Sequence, residues 1–177
     1  KNDKELEEML AFAVDCDGPV AIRYPRGSAY RGLQEHQAPV EHGKSEVIHR
    51  GKKIAVLGVG SMIPSCLEVC KGLKEDGFDP TFVNVRFVKP LDVKLLDELA
   101  KDHSLFATVE ENVKSGGYGE HVSAYMEACH PEVRVLSASV WDRFVPQGNV
   151  DSLRARIGLG VADIRQAIED SEELKRQ

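Results

Sequence analysis

An α/β fold, with a mainly parallel sheet of about five strands between two helical layers, is predicted by three features of this sequence. Apolar runs of strand length alternate with stretches that repeat apolar residues at helical spacing. The runs are apolar throughout rather than alternating with polar residues, as strands buried on both faces are. Glycines such as Gly58, Gly77 and the Gly116-Gly117 pair sit where strand and helix patterns change over.

Taken in order, Asn2 or Asp3 is placed to cap a helix with Leu6, Met9, Leu10, Ala13 and Val14 on one face, ended by Asp17-Gly18-Pro19. Val20-Ala21-Ile22-Arg23-Tyr24 has the character of a strand, stopped by Pro25 with Arg26-Gly27 in the turn. Residues 28–42 are polar and aperiodic and read as an interdomain linker. Residues 43–49 and 53–58 flank Arg50-Gly51-Lys52 as the arms of a hairpin, with 54–57 the first central strand. Pro64 suits the first turn of the next helix, which runs to Lys74 and ends at Gly77. Residues 82–85 form a strand, and Asp92 caps a helix carrying Val93, Leu95, Leu96 and Leu99. A strand at 105–109 turns through Gly116, Gly117 and Gly119 into a helix from Tyr118 to Cys129. A last strand at 134–136 precedes helices at 151–156 and 161–174. The expected organisation is therefore 1–27 as a helix and strand from the end of another domain, 28–42 as linker, and 43–177 as one compact domain.

Composition narrows the function. The chain has 177 residues, enough for one ordinary domain with attachments, and no apolar run approaches the roughly 18 residues of a membrane span. A net charge of -6 with scattered basic residues argues against a nucleic-acid partner. Cys16, Cys66, Cys70 and Cys129 form no Cys-x-x-Cys pair, and they read as buried reduced thiols of a cytosolic protein rather than a metal site. The chain opens at Lys1 with a charged amphipathic stretch rather than a signal peptide, and reads as a piece of a longer protein.

Gly58-Val59-Gly60 follows a strand, but Ile63 occupies the last glycine position of a dinucleotide fingerprint, so a tight strand-to-helix turn is the better reading. Gly116-Gly117-Tyr118-Gly119 has the form of an anion cradle, yet Glu110 and Glu111 stand just upstream, which favours a packing turn. Neighbours on a strand point to opposite faces, so Glu110 and Glu111 are expected as a solvated or interface-facing pair, not as a joint acid and base. The best lone candidate for ligand chemistry is Arg23-Tyr24-Pro25-Arg26-Gly27, where a guanidinium at a strand end can grip phosphate or carboxylate bidentately, surface ion pairing being the alternative.

Four stretches together resemble the carboxyl-terminal part of the 1-deoxy-D-xylulose-5-phosphate synthase family. They are Arg23-Tyr24-Pro25-Arg26-Gly27; Asn84-Val85-Arg86-Phe87-Val88-Lys89-Pro90-Leu91-Asp92; Thr108-Val109-Glu110-Glu111-Asn112 with Gly116-Gly117; and Asp142-Arg143-Phe144-Val145-Pro146-Gln147-Gly148. The Glu-Glu and Gly-Gly element also occurs in the wider transketolase group, including 2-oxoacid dehydrogenase β subunits. The sequence departs from the family pattern at Trp141, commonly proline, and at Gln147, often histidine. The resemblance implies a thiamine diphosphate and Mg2+ enzyme that condenses pyruvate, with decarboxylation, with glyceraldehyde 3-phosphate. It further implies a cytosolic or plastid homodimer serving isoprenoid, thiamine and pyridoxal synthesis. Its Gly-Asp-Gly metal motif and activating glutamate belong to preceding domains, so no catalytic, cofactor or metal residue is expected here, and the isolated chain is expected to be inactive. By the same resemblance Arg26 binds the substrate phosphate, with Arg23 a weaker candidate. A transketolase or 2-oxoacid dehydrogenase β subunit is the alternative parent, and a non-catalytic assembly module the alternative of another class.

Overall fold

A computed structural model describes residues 1–171; the predicted helix end at 172–174 lies outside the described residues. Helix α1 (Asp3–Val14) comes first, followed by β1 (Glu46–His49) and β2 (Lys53–Val59). A short 3-10 turn (Gly60–Met62) leads into α2 (Ile63–Glu75), then β3 (Thr81–Val85), α3 (Val93–Leu99), β4 (His103–Val113), α4 (Tyr118–Cys129), β5 (Arg134–Val140), α5 (Val150–Arg156) and α6 (Val161–Glu169). The sheet order is β1-β3-β2-β4-β5, with β1 antiparallel and the other four parallel.

The three layers follow from period-two alternation within apolar strands. Ile54 and Val56 of β2 face one side, where Leu105, Ala107 and Val109 of β4 join α2 residues such as Cys66, Val69 and Leu73 and α6 residues Ile164 and Ile168. Ala55 and Leu57 face the other, with Phe106, Leu96 and Leu99 of α3, and Tyr118, Val122 and Met126 of α4. Both faces of each central strand are thereby covered, which explains why these strands carry no polar alternation.

The predicted hairpin does not form. β1 pairs with β3 (Val47 opposite Val83) and β2 pairs with the other edge of β3 (Leu57 opposite Val83), so the two arms are separated by a strand. All five residues of β3 are buried, and a strand of that kind needs a neighbour along each edge. The Arg50-Gly51-Lys52 link crosses the start of β3 instead, with the Gly51 amide donating to Thr81 Oγ1 at 2.9 Å and the Lys52 amide to Asp79 O at 2.7 Å.

The predicted strand at Val20-Ala21-Ile22-Arg23-Tyr24 is also absent. No helix or strand element falls between α1 and β1. Strand backbone needs a neighbour to accept and donate, and no strand among the described residues pairs there, leaving Val20 45% and Tyr24 66% exposed. The cysteines divide: Cys66 and Cys70 are buried, whereas Cys16 is half-buried and Cys129, the last residue of α4, is exposed. Burial pushes the Cys70 thiol up to about 12, so it is an inert core thiol.

Helix α1 is capped by Asn2, whose side chain accepts from the Glu5 amide at 2.9 Å while its Nδ2 donates to Gly32 O at 2.9 Å, tying the helix start to the segment that precedes β1. Glu5 enters a buried polar cluster on the β1–β3 edge. Its Oε1 accepts from Asn84 Nδ2 and Arg86 Nε, each at 2.7 Å, and Glu46 of β1 takes Lys1 Nζ at 2.8 Å and Arg86 Nη2 at 3.2 Å. Burial works to raise the Glu5 carboxyl, and the Arg86 guanidinium and the Lys1 side chain, which donates to Glu5 Oε1 at 3.0 Å, oppose it. Phe87 adds an apolar anchor, edge-on to Phe12 of α1 at 5.6 Å between ring centroids. The Asn84-to-Asp92 motif thus has a mechanical role. Asn84, Arg86 and Phe87 fasten α1, and Asp92 caps α3 through Leu95 N at 3.2 Å while accepting Ser45 N at 2.8 Å.

Candidate functional site

The carboxyl edge of a parallel sheet is where strand ends, loops and helix starts converge, and where α/β folds place ligands. Here β4 runs on past the apolar core to Val113, so Glu110 and Glu111 are its own residues and point to opposite faces, as their adjacency requires.

Glu110 is neither solvated nor facing an interface; it is 2% exposed. Its carboxylate turns under α4 and accepts the amides of Tyr118 at 2.9 Å and Gly119 at 2.8 Å. The cradle suggested by Gly116 to Gly119 therefore holds an anion, and that anion is Glu110 itself. Nearby amides are also spoken for, Gly116 N by Glu120 Oε2 at 2.6 Å and Gly117 N by Lys114 O at 3.2 Å. Gly119 is required by proximity, because a Cβ there would lie 2.4 Å from Ser137 Oγ and 2.5 Å from Thr108 Oγ1.

Glu111 faces the other layer. Its carboxylate accepts Arg154 Nε of α5 at 2.8 Å and a hydrogen bond from Ser61 Oγ, just beyond β2. Burial works against the charge, but the Arg154 and Ser61 hydrogen bonds outweigh it and hold this carboxyl below its ordinary range. Arg154 is raised in turn, chiefly by its hydrogen bond to Glu111. The Asn149 side chain, capping α5 through Asp151 N at 3.0 Å, sets the helix that carries Arg154. The backbone carbonyl of Glu111 accepts Arg23 Nη2 at 3.0 Å, so the segment between α1 and β1 is hooked to the end of β4.

Of the two arginines singled out in the sequence, Arg23 is engaged and Arg26 is not. Arg26 is exposed, stands beside Gly27 in a bend with φ 128°, and has no hydrogen-bond or ion-pair partner among the described residues. Ser61 and Arg154 were not singled out from sequence; an isolated serine after a strand and one arginine in a charged helix carry no spacing signal. Trp141 and Gln147 are both exposed.

Among the described residues no three His, Cys, Asp or Glu side chains are grouped as a cation would need, and the glycine-rich helix start is filled by Glu110. Among the described residues no helix is long and apolar enough to cross a membrane.

Comparison with known proteins places these features in a family. Residues 43–164 match the family described as transketolase, C-terminal domain. A 1-deoxy-D-xylulose-5-phosphate synthase of Lachnoclostridium phytofermentans is 41% identical over 165 residues, covering 93% of this chain and 26% of that protein. The protein of the same name from Dictyoglomus thermophilum is 41% identical over 169 residues, covering 95% and 27%. The chain thus spans about a quarter of the length of these curated relatives. Among solved structures, a split-gene transketolase described as an inactive β4 tetramer superposes with a TM-score of 0.86 at 28% identity, over 96% of this chain and 55% of that one. A transketolase from Campylobacter jejuni shares the fold, with a TM-score of 0.52 at 17% identity, over 73% of this chain and 19% of that one.

Proposed function

The chain belongs to the transketolase C-terminal domain family, and from that premise we propose that it is the carboxyl-terminal part of a 1-deoxy-D-xylulose-5-phosphate synthase that contributes Arg26 to the site for glyceraldehyde 3-phosphate. The parent is then a thiamine-diphosphate-dependent transferase of the isoprenoid precursor route, cytoplasmic and homodimeric. Residues 1–27 close its pyrimidine-binding domain, 28–42 link, and 43–177 form the terminal domain. Bound elsewhere in the parent, the cofactor would make the decarboxylation of pyruvate possible and carry the two-carbon unit that pyruvate leaves.

The observation that carries the reading is the open guanidinium of Arg26. Its donors are unclaimed by the described residues, on a segment anchored at Arg23 beside the carboxyl edge of the sheet. A planar fork of this kind grips a phosphate through two parallel hydrogen bonds. Fixing that end of a three-carbon substrate leaves its aldehyde to be presented to the reacting carbon, and such orientation lowers the barrier by pre-ordering the encounter. This reading gives no described residue a proton transfer or a covalent bond to substrate, so on it the 177-residue chain alone forms no product; product formed by it from the two substrates would overturn this part.

In the full-length enzyme, Arg26→Ala raises KM for glyceraldehyde 3-phosphate about 100-fold, the scale of a lost charged hydrogen-bond pair, and leaves KM for pyruvate nearly unchanged. Equal effects on both substrates would remove the phosphate assignment. A transketolase parent is the second reading, favoured by the split-gene neighbour; ketol transfer by the full-length protein would select it.

A further inference from the structure

Arg26 needs something to hold it, because the segment between α1 and β1 has no backbone ladder of its own. The first arginine of the same motif supplies it. Arg23 Nη2 donates to Glu111 O at 3.0 Å, a contact between residues 88 apart in sequence. The acceptor is unusually well fixed for a strand end. Glu111 lies within β4, which continues to Val113, and its side chain is gripped by Arg154 Nε at 2.8 Å and by Ser61 Oγ. Three residues of chain span at most about 10 Å, so fixing Arg23 confines Arg26 to a small volume beside this edge.

Resting on the phosphate-binding reading of Arg26, we propose that Arg23 is a positioning residue rather than a substrate ligand: by hooking Glu111 O, it preorganises the loop that presents Arg26 to the phosphate. Glu111, Arg154 and Ser61 form the fixed post on which that hook closes. The gain lies in ordering the loop before substrate arrives, so that binding does not bear the entropy of ordering it. The bond is to a main-chain oxygen, so neither sequence spacing nor side-chain chemistry reveals it.

The test uses the full-length enzyme and two acceptors, glyceraldehyde 3-phosphate and D-glyceraldehyde, which lacks the phosphate. Arg23→Met keeps the stem and removes the donors. It raises KM for the phosphorylated acceptor about tenfold, the size of one hydrogen bond from a charged donor, without changing kcat, KM for pyruvate or KM for D-glyceraldehyde. Arg23→Lys, which retains a donor, restores most of the loss. In an Arg26→Ala background Arg23→Met has no further effect, because the loop no longer presents a guanidinium. An additive loss in that background would overturn the proposal by making Arg23 a ligand in its own right. An unchanged KM in the single variant, or equal losses with all substrates, would also overturn it. If Arg26→Ala alone leaves KM for glyceraldehyde 3-phosphate unchanged, the reading of Arg26 itself fails, a result separate from any effect of Arg23.

Discussion

Arg86 and Arg26 both stand in motifs that mark the family, and the structure puts them in opposite situations. Arg86 has a side chain 1% exposed and every arm of its fork engaged: Nε with Glu5 Oε1 at 2.7 Å, Nη1 with Pro39 O at 2.9 Å and Nη2 with Ala38 O at 2.8 Å. Arg26 is exposed, and among the described residues nothing engages it. An arginine saturated by its own protein is a rivet, whereas one left open at a turn is free to meet a ligand. Membership of a motif does not separate the two; burial and the donor count do.

The sharpest way to break this contrast is Arg86→Met. Removing the guanidinium leaves Glu5 and Glu46 buried with less compensation, at a cost of about 3–5 kcal/mol in urea unfolding and with loss of amide protection in α1. A cost below about 1 kcal/mol would show that Arg86 does not hold α1. Next in size is Glu110→Ala, which strips the acceptor from two buried amides at the start of α4 and costs about 1–3 kcal/mol in thermal or urea unfolding. No loss would show that α4 does not depend on its internal anion.

Acid probes the same rivet without mutation. The Glu46 carboxyl, which burial would raise, is held below its ordinary 4.5 by the Lys1 side chain, Asn84 and Arg86, so the folded state binds this proton more weakly than the unfolded state. Its contribution is fully present above pH 4.5 and is lost as pH falls below that through the lowered folded value. Unfolding followed against pH by circular dichroism loses stability through that window, and the loss is smaller in Glu46→Gln. The smallest effect is expected at the other arginine. Arg26→Ala changes stability by no more than about 0.5 kcal/mol in the same assay, and a larger cost would make Arg26 structural after all.

Much of the fold was legible because buried parallel strands and amphipathic helices write their periods into the sequence. The central strands, the Asp92 cap and the glycine turn into α4 stand where spacing put them. The hairpin reading of residues 43–58 failed because adjacency in sequence says nothing of a third strand inserting between two others. The strand reading of 20–24 failed because strand character in side chains does not supply a partner for the backbone. For Glu110, the repulsion argument was sound about external anions but blind to the side chain folding back as the anion itself.

The sequence by itself determined the α/β layering, the caps and the family, since each rests on local spacing or on contiguous motifs. Only the tertiary structure decided which charges are spent and which are free. Glu5 meets Arg86 across 81 residues, Arg154 meets Glu111 across 43 and Arg23 meets Glu111 across 88. Charge pairing at such separations is set by how the layers stack, because Coulomb and hydrogen-bond energies depend on distance in space and carry no period along the chain.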